Sequence, residues 1–237
     1  EAFGVNSKKD LAEAEKINRK KIADELMENG VTIIDPNRID VRGKLICGKD
    51  VTIDVNTIFF GDVTLGDGVS VAPFTVISNS TIGDETEIQS HSNIEEADIG
   101  SKCKIGPFAR IRPQTKLEEG ARVGNFVETK KAVIGKSSKV NHLTYIGDAI
   151  IGEKTNIGAG TITCNYDGVS KHQTKIGDRV FIGSGVELVA PIEVEEGATI
   201  GAGSTVSKRV PADKLTIERS KQKTIDGWKR PAKKEEK

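Results

Sequence analysis

The sequence predicts an all-β chain, a parallel β-helix preceded by a single α-helix. Aliphatic residues recur in steps of six, with an occasional five, through most of the 237 residues, and glycine follows many of them. Aromatic residues make up only 4% of the chain while glycine reaches 25 copies. That mixture suits a thin stacked repeat better than a globule packed around large rings.

The first segment, from Ser7 through Asp10 to Ile17, reads as a helix start, with Ser7 as N-cap and Asp10 as its capping-box partner. Gly30 ends it. Leu11, Ile17, Ile22 and Leu26 form a partial apolar stripe on a heavily charged helix, which places it on a surface or between two modules. Val31 to Ile34 reads as a short strand halted at Asp35-Pro36.

From about Leu65 the repeat takes over. Aliphatics stand at 65, 71, 77, 82, 88, 94, 99, 105, 111, 117 and 123, again at 134, 140, 146, 151 and 157, and again at 176, 182, 188, 194, 200 and 206. Three six-residue units close one triangular coil, and each aliphatic points inward to stack on its counterpart one coil away. Glycine after the aliphatic suits a tight corner, where a side chain would collide with the turn. A helical reading fails: six is not a helical period, and each interior glycine would cost a helix about 1 kcal/mol.

Between Thr163 and Lys175 the rhythm breaks, at an Asp-Gly turn signal with little to stack, so this segment is expected to loop out of the coil and carry binding residues. After Val206 the period ends, and the last residues are expected to be disordered. The chain thus divides into 1–30, 31–212 and a tail at 213–237.

Lys plus Arg equals Asp plus Glu, 35 against 35, so no global field draws the chain to nucleic acid or membrane. Any anionic ligand must be held locally. Cys47, Cys103 and Cys164 are too few and too scattered for a disulfide framework or zinc cluster. No run approaches the roughly 18 apolar residues needed to cross a bilayer, and nothing at the start reads as a leader. A cytoplasmic protein is expected.

Of the histidines His91, His142 and His172, the second matters most. It falls at a corner of the hexad starting at Val140, where a side chain need not point inward. Residues one coil apart lie side by side, so Arg112, Lys130 and His142 occupy neighbouring rungs. Fixed cations on a rigid scaffold suit a phosphate monoester; a solvated basic face is the alternative.

Four stretches carry a family resemblance: Gly106-Pro-Phe-Ala-Arg-Ile-Arg112-Pro, Gly124-Asn-Phe-Val-Glu128-Thr-Lys130-Lys, His142-Leu-Thr-Tyr145, and the run from Asn156 through Asn165-Tyr166 to Asp-Gly. They closely resemble the acetyltransferase half of the bacterial N-acetylglucosamine-1-phosphate uridyltransferases that are also glucosamine-1-phosphate N-acetyltransferases. The resemblance runs from Gly4-Val-Asn6 to Gly227-Trp228-Lys-Arg-Pro231. It implies a left-handed hexapeptide-repeat coil, a homotrimer with sites at subunit boundaries, and acetyl-CoA as co-substrate in the synthesis of UDP-N-acetylglucosamine and cell-wall precursors. By motif position, His142 is the catalytic base. Arg112, Lys130, Tyr145, Asn156 and Lys171 would bind the sugar phosphate, and Ala159, Asn165, Tyr166, Ser184, Ala202 and Arg219 the acetyl-CoA. Asn6 matches a residue that helps hold magnesium in the nucleotidyltransferase half. The first 30 residues then correspond to the end of that half plus a connecting helix, and uridyltransferase activity is not expected of this chain.

Acetyl transfer needs a base for the acceptor amine, which His142 supplies, with Glu128 a candidate to orient or polarise it. Direct transfer is favoured over an acyl-Cys164 intermediate, because no base adjoins that thiol in sequence. Two alternatives stay open: a non-catalytic β-helical scaffold, and a zinc hydratase resembling the γ-class carbonic anhydrases.

Overall fold

The computed structural model describes residues 4–230. Its one helix, Lys8–Glu28, opens on Ser7, whose extended backbone lets the hydroxyl accept the Asp10 N–H at 3.1 Å. The Asp10 carboxylate accepts the Asn6 N–H in return, also at 3.1 Å. These bonds satisfy donors the helix leaves open and hold the Asp10 carboxyl below its ordinary pKa. The chain leaves the helix through Asn29 and Gly30, the latter at a φ of 92°. Ala23 and Leu26 are buried, whereas Leu11 and Ile17 are 48% and 53% exposed, so only the C-terminal half of the predicted stripe packs on the body.

The body is a β-solenoid of stacked parallel strands. One sheet of 11 strands runs from Thr32–Ile33 to Leu215–Thr216, and a second of 14 strands covers the other faces. Every aliphatic of the predicted series is buried. Leu65, Ile82, Ile99, Leu117, Ile134, Ile151, Ile176 and Val194 stack in one continuous column, each in register with the next. Burying each such side chain stabilises the stack by about 1.5–3 kcal/mol.

The coil begins earlier than the aliphatic series suggested. Ile39–Cys47 already lies along Thr57–Leu65 in nine register pairs. These first coils run as long strands that round a corner unbroken, so the punctuation of the later repeat is missing there. At the other end, Leu215–Thr216 adds a last rung beside Thr199–Ile200.

The corner glycines act differently from expectation. Gly135 has an ordinary backbone conformation; a Cβ there would stand 2.3 Å from the Gly152 carbonyl oxygen, in the next coil. The collision is therefore between coils, not within the turn. The left-handed backbone falls two residues later, on Ser137 at φ 58°. Beside it, Ser138 Oγ donates to the Gly152 oxygen at 2.6 Å and accepts the Thr155 N–H at 2.8 Å, tying the two coils. Among the described residues no helix is long and apolar enough to cross a membrane.

Gly135→Ala is expected to destabilise the solenoid by about 1–3 kcal/mol, the usual penalty for overpacking. Chemical denaturation followed by circular dichroism measures this. An unchanged midpoint would show that coil spacing does not depend on that glycine.

Candidate active site

Successive coils are offset by 17 or 18 residues, as in the Asp62–Asn79 and Arg38–Asn56 contacts, and by 25 where the predicted loop is inserted. This register decides which side chains meet. One corner carries, in order, Phe74, His91, Phe108, Phe126, Leu143, Gly160, Gly185 and Gly203, all with left-handed backbone. The first four stack ring on ring at 4.7–5.3 Å. Below Leu143 the corner holds only glycine, and the bulky ladder gives way to bare backbone.

His142 stands where that change occurs. It closes the strand Lys139–His142, in register with Asn125 on the coil above. Its Nδ1 lies 3.0 Å from Asn125 Oδ1. The amide oxygen accepts, so Nδ1 carries the proton and Nε2 is left as the basic nitrogen. Below His142 the same register continues through Ala159, Ser184 and Ala202. At about 4.8 Å per rung this row of small residues extends about 14 Å from the imidazole. Arg219 Nη1 donates to the Ala202 carbonyl at 2.9 Å and closes its far end.

Around the corner lies the second half of the site. Arg112 donates to Glu128 Oε1 at 2.6 Å. Lys130 occupies the next rung, and Lys171 reaches it from the inserted loop. The nearby Lys171 ammonium, with Arg112 adding to it, holds the Lys130 pKa below the ordinary lysine value. Like charges gathered this closely are costly without an anion between them. Tyr145 pairs with Glu128 across the rungs. Its ring leans over Gly147, where a Cβ would meet the phenol oxygen at 2.3 Å, so this glycine makes room for the tyrosine.

The loop itself is an ordered hairpin. Tyr166 and Lys171 form an antiparallel bridge, and His172 N–H donates to the Asn165 carbonyl at 2.8 Å. Asp167 accepts the N–H groups of Val169 and Ser170 at 2.8 and 2.7 Å, and faces His172 Nε2 at 2.7 Å. These bonds, the Ser170 N–H foremost, push the Asp167 carboxyl far below the usual carboxylate range.

Not every predicted residue converges. Arg112, Lys130 and Lys171 do, with Tyr145 on the adjoining rung and His142 just across the corner. Asn156 lies at the opposite end of its strand, beside Lys139. Asn165 and Tyr166 belong to the far corner of the Tyr145 face, away from the Ala159–Ala202 row. Asn165 is buried and donates to Asp148 at 2.6 Å, whereas Tyr166 is 59% exposed. Glu128 does not orient His142, because it is engaged by Arg112; Asn125 has that place. Asn125 was readable in principle, since it stands one 17-residue coil before the histidine. Asn6 sits exposed ahead of the helix with its N–H on Asp10. Cys164 is only partly buried, and desolvation raises its thiol pKa, which disfavours a thiolate. The three histidines have separate partners, and no group of three His, Cys, Asp or Glu among the described residues could hold a metal ion.

Replacing Lys171 by alanine is expected to return the Lys130 pKa toward its ordinary value, and inorganic phosphate bound between the two lysines should raise it in the unaltered protein. Side-chain NMR of labelled lysine reads both. A Lys130 titration indifferent to Lys171→Ala would mean the two ammoniums do not meet in solution.

Two family descriptions match the chain: GMPPB C-terminal domain over residues 41–119, and bacterial transferase hexapeptide (six repeats) over residues 173–208. The chain is 57% identical over 233 residues to the bifunctional protein GlmU of Herminiimonas arsenicoxydans, covering 98% of this chain and 52% of that protein. The GlmU of Janthinobacterium sp. (strain Marseille) matches with the same identity and coverage, 57%, 98% and 52%. The chain thus spans about half the length of the curated relatives it matches. An Arabidopsis UDP-N-acetylglucosamine acyltransferase shares the fold at a TM-score of 0.59 and 15% identity, over 76% of this chain and 69% of that one. By sequence the chain is thus GlmU-like along 98% of its own length.

Proposed function

We propose that this chain transfers the acetyl group of acetyl-CoA to the amine of glucosamine-1-phosphate, giving N-acetylglucosamine-1-phosphate. The observation that carries the reading is one juxtaposition. A histidine with a free basic nitrogen heads a row of small residues on one face, and three cations converge on the adjoining face. The likeness to GlmU and to the bacterial transferase hexapeptide repeats supports this reading, and the geometry supplies parts suited to it.

The row from Ala159 to Ala202 leaves room for the extended pantetheine arm, with Arg219 at the end where the phosphates of CoA would lie. Arg112, Lys130 and Lys171 hold the sugar phosphate, Arg112 through its planar fork and the lysines as point charges. His142 Nε2 takes the amine proton as nitrogen attacks the thioester carbon, while Asn125 keeps the tautomer and ring orientation this requires. The developing oxyanion needs a donor already in place. We assign it to the Ala159 N–H, which is one rung below His142 and finds no acceptor among the described residues. Collapse expels the CoA sulfur, and the proton held on His142 neutralises it.

The split within the predicted sets supports a homotrimer. Asn156, Asn165 and Tyr166 lie away from the corner that carries His142, and a neighbouring copy packed against that corner would return them to it.

The test is CoA release, read with a thiol reagent, from acetyl-CoA and glucosamine-1-phosphate. His142→Ala should lower kcat by about 10²–10⁴, the range for a general base. Asn125→Ala should lower it by about tenfold through the loss of one orienting hydrogen bond. A His142→Ala protein that turns over like the unaltered one would refute the base assignment, and an inert wild-type trimer would refute the acetyltransferase reading.

A further inference from the structure

The 165–172 hairpin is braced internally at its base, its tip and its bridge, yet among the described residues a single side-chain hydrogen bond ties it to the solenoid. That bond is the Asn165 amide on Asp148 Oδ2, at 2.6 Å. Asp148 itself is a buried carboxylate, 7% exposed, at a left-handed corner of the strand Tyr145–Ile151. Its other oxygen faces Lys131 Nζ at 3.5 Å. The two oxygens therefore hold two different pieces of the cation cluster: the strand that carries Lys130, and the hairpin that carries Lys171. Asp148 also lies within Coulomb reach of Lys130 and favours its charged form. Nothing in the acetyl-transfer chemistry uses this carboxylate directly.

We infer that Asp148 is a positioning residue, a latch that aims Lys171 at the acceptor's phosphate by fixing the base of an otherwise self-contained hairpin. The inference rests on the proposed acceptor. A hairpin rigid in itself, joined to the solenoid through the backbone at Cys164 and Gln173 and through this one side-chain bond, transmits any movement of its base to its far strand. Loss of the latch also strands the buried Asn165 amide without a partner, which favours an opened base. Asp148→Asn keeps an oxygen for Asn165 while removing the charge, so it separates the latch from the electrostatics.

Two readouts are needed. Hydrogen exchange follows the amides of residues 166–172, and CoA release compares glucosamine-1-phosphate with glucosamine as acceptors. Asp148→Ala is expected to speed exchange in the hairpin by about tenfold, the effect of losing one hydrogen bond to a charged acceptor, with the solenoid strands unchanged. It should cut the preference for the phosphorylated acceptor by a similar factor, and Asp148→Asn should restore most of both. Unchanged protection in Asp148→Ala overturns the latch, as does a loosened hairpin with full phosphate preference. If the wild type shows no preference for the phosphorylated acceptor, the proposed function fails instead. The latch is then decided by exchange alone.

Discussion

Everything in this molecule depends on coils stacking in strict register at the spacing of neighbouring β-strands, about 4.8 Å. Two features enforce that spacing. Buried aliphatics form continuous columns, so a coil gains its apolar contacts only from the coils above and below. Corner glycines remove the one atom that would hold the coils apart, as at Gly135 beneath the Gly152 carbonyl. Given that register, a side chain's neighbours are set by adding 17 or 18 to its number, and local sequence adjacency counts for little.

The candidate site is a consequence of that arithmetic. Asn125 meets His142 because they are one coil apart, and Glu128 meets Tyr145 for the same reason. The corner's change from stacked rings to glycine puts the histidine at the edge of exposed backbone, where a long thin acyl carrier has room. The cations gather by a different route. Arg112 and Lys130 come from successive rungs, but Lys171 arrives on an eight-residue excess in one coil, whose offset is 25 rather than 17. The regular coils supply Arg112 and Lys130, and the inserted hairpin supplies Lys171. Acids compensate the crowding: Glu128 on Arg112, and Asp148 within Coulomb reach of Lys130.

Much of this was legible in the sequence because its causes are periodic. The aliphatic series from Leu65 to Val206 marked the buried columns residue by residue, and the break after Thr163 marked the hairpin. Ser7, Asp10 and Gly30 marked the helix because capping is local chemistry. The early coils fell within the 31–212 segment but were not legible rung by rung. Strands such as Ile39–Cys47 and Thr57–Leu65 round a corner unbroken and so carry no six-residue punctuation. Glu128, expected beside His142, is instead engaged diagonally by Arg112, two residues along from its register partner Arg110, a contact that coil arithmetic alone does not give. Asp148 was as readable as Asn125, since its partner Asn165 lies one 17-residue coil on, but the aliphatic series that marks the coils breaks at that segment.

A crystal structure with glucosamine-1-phosphate bound addresses the central claim most directly, namely that coil register builds one site from two faces across a corner. The phosphate should lie between Arg112, Lys130 and Lys171, with the amine within hydrogen-bond reach of His142 Nε2. Sugar phosphate bound elsewhere, or held with its amine directed away from His142, would contradict the account.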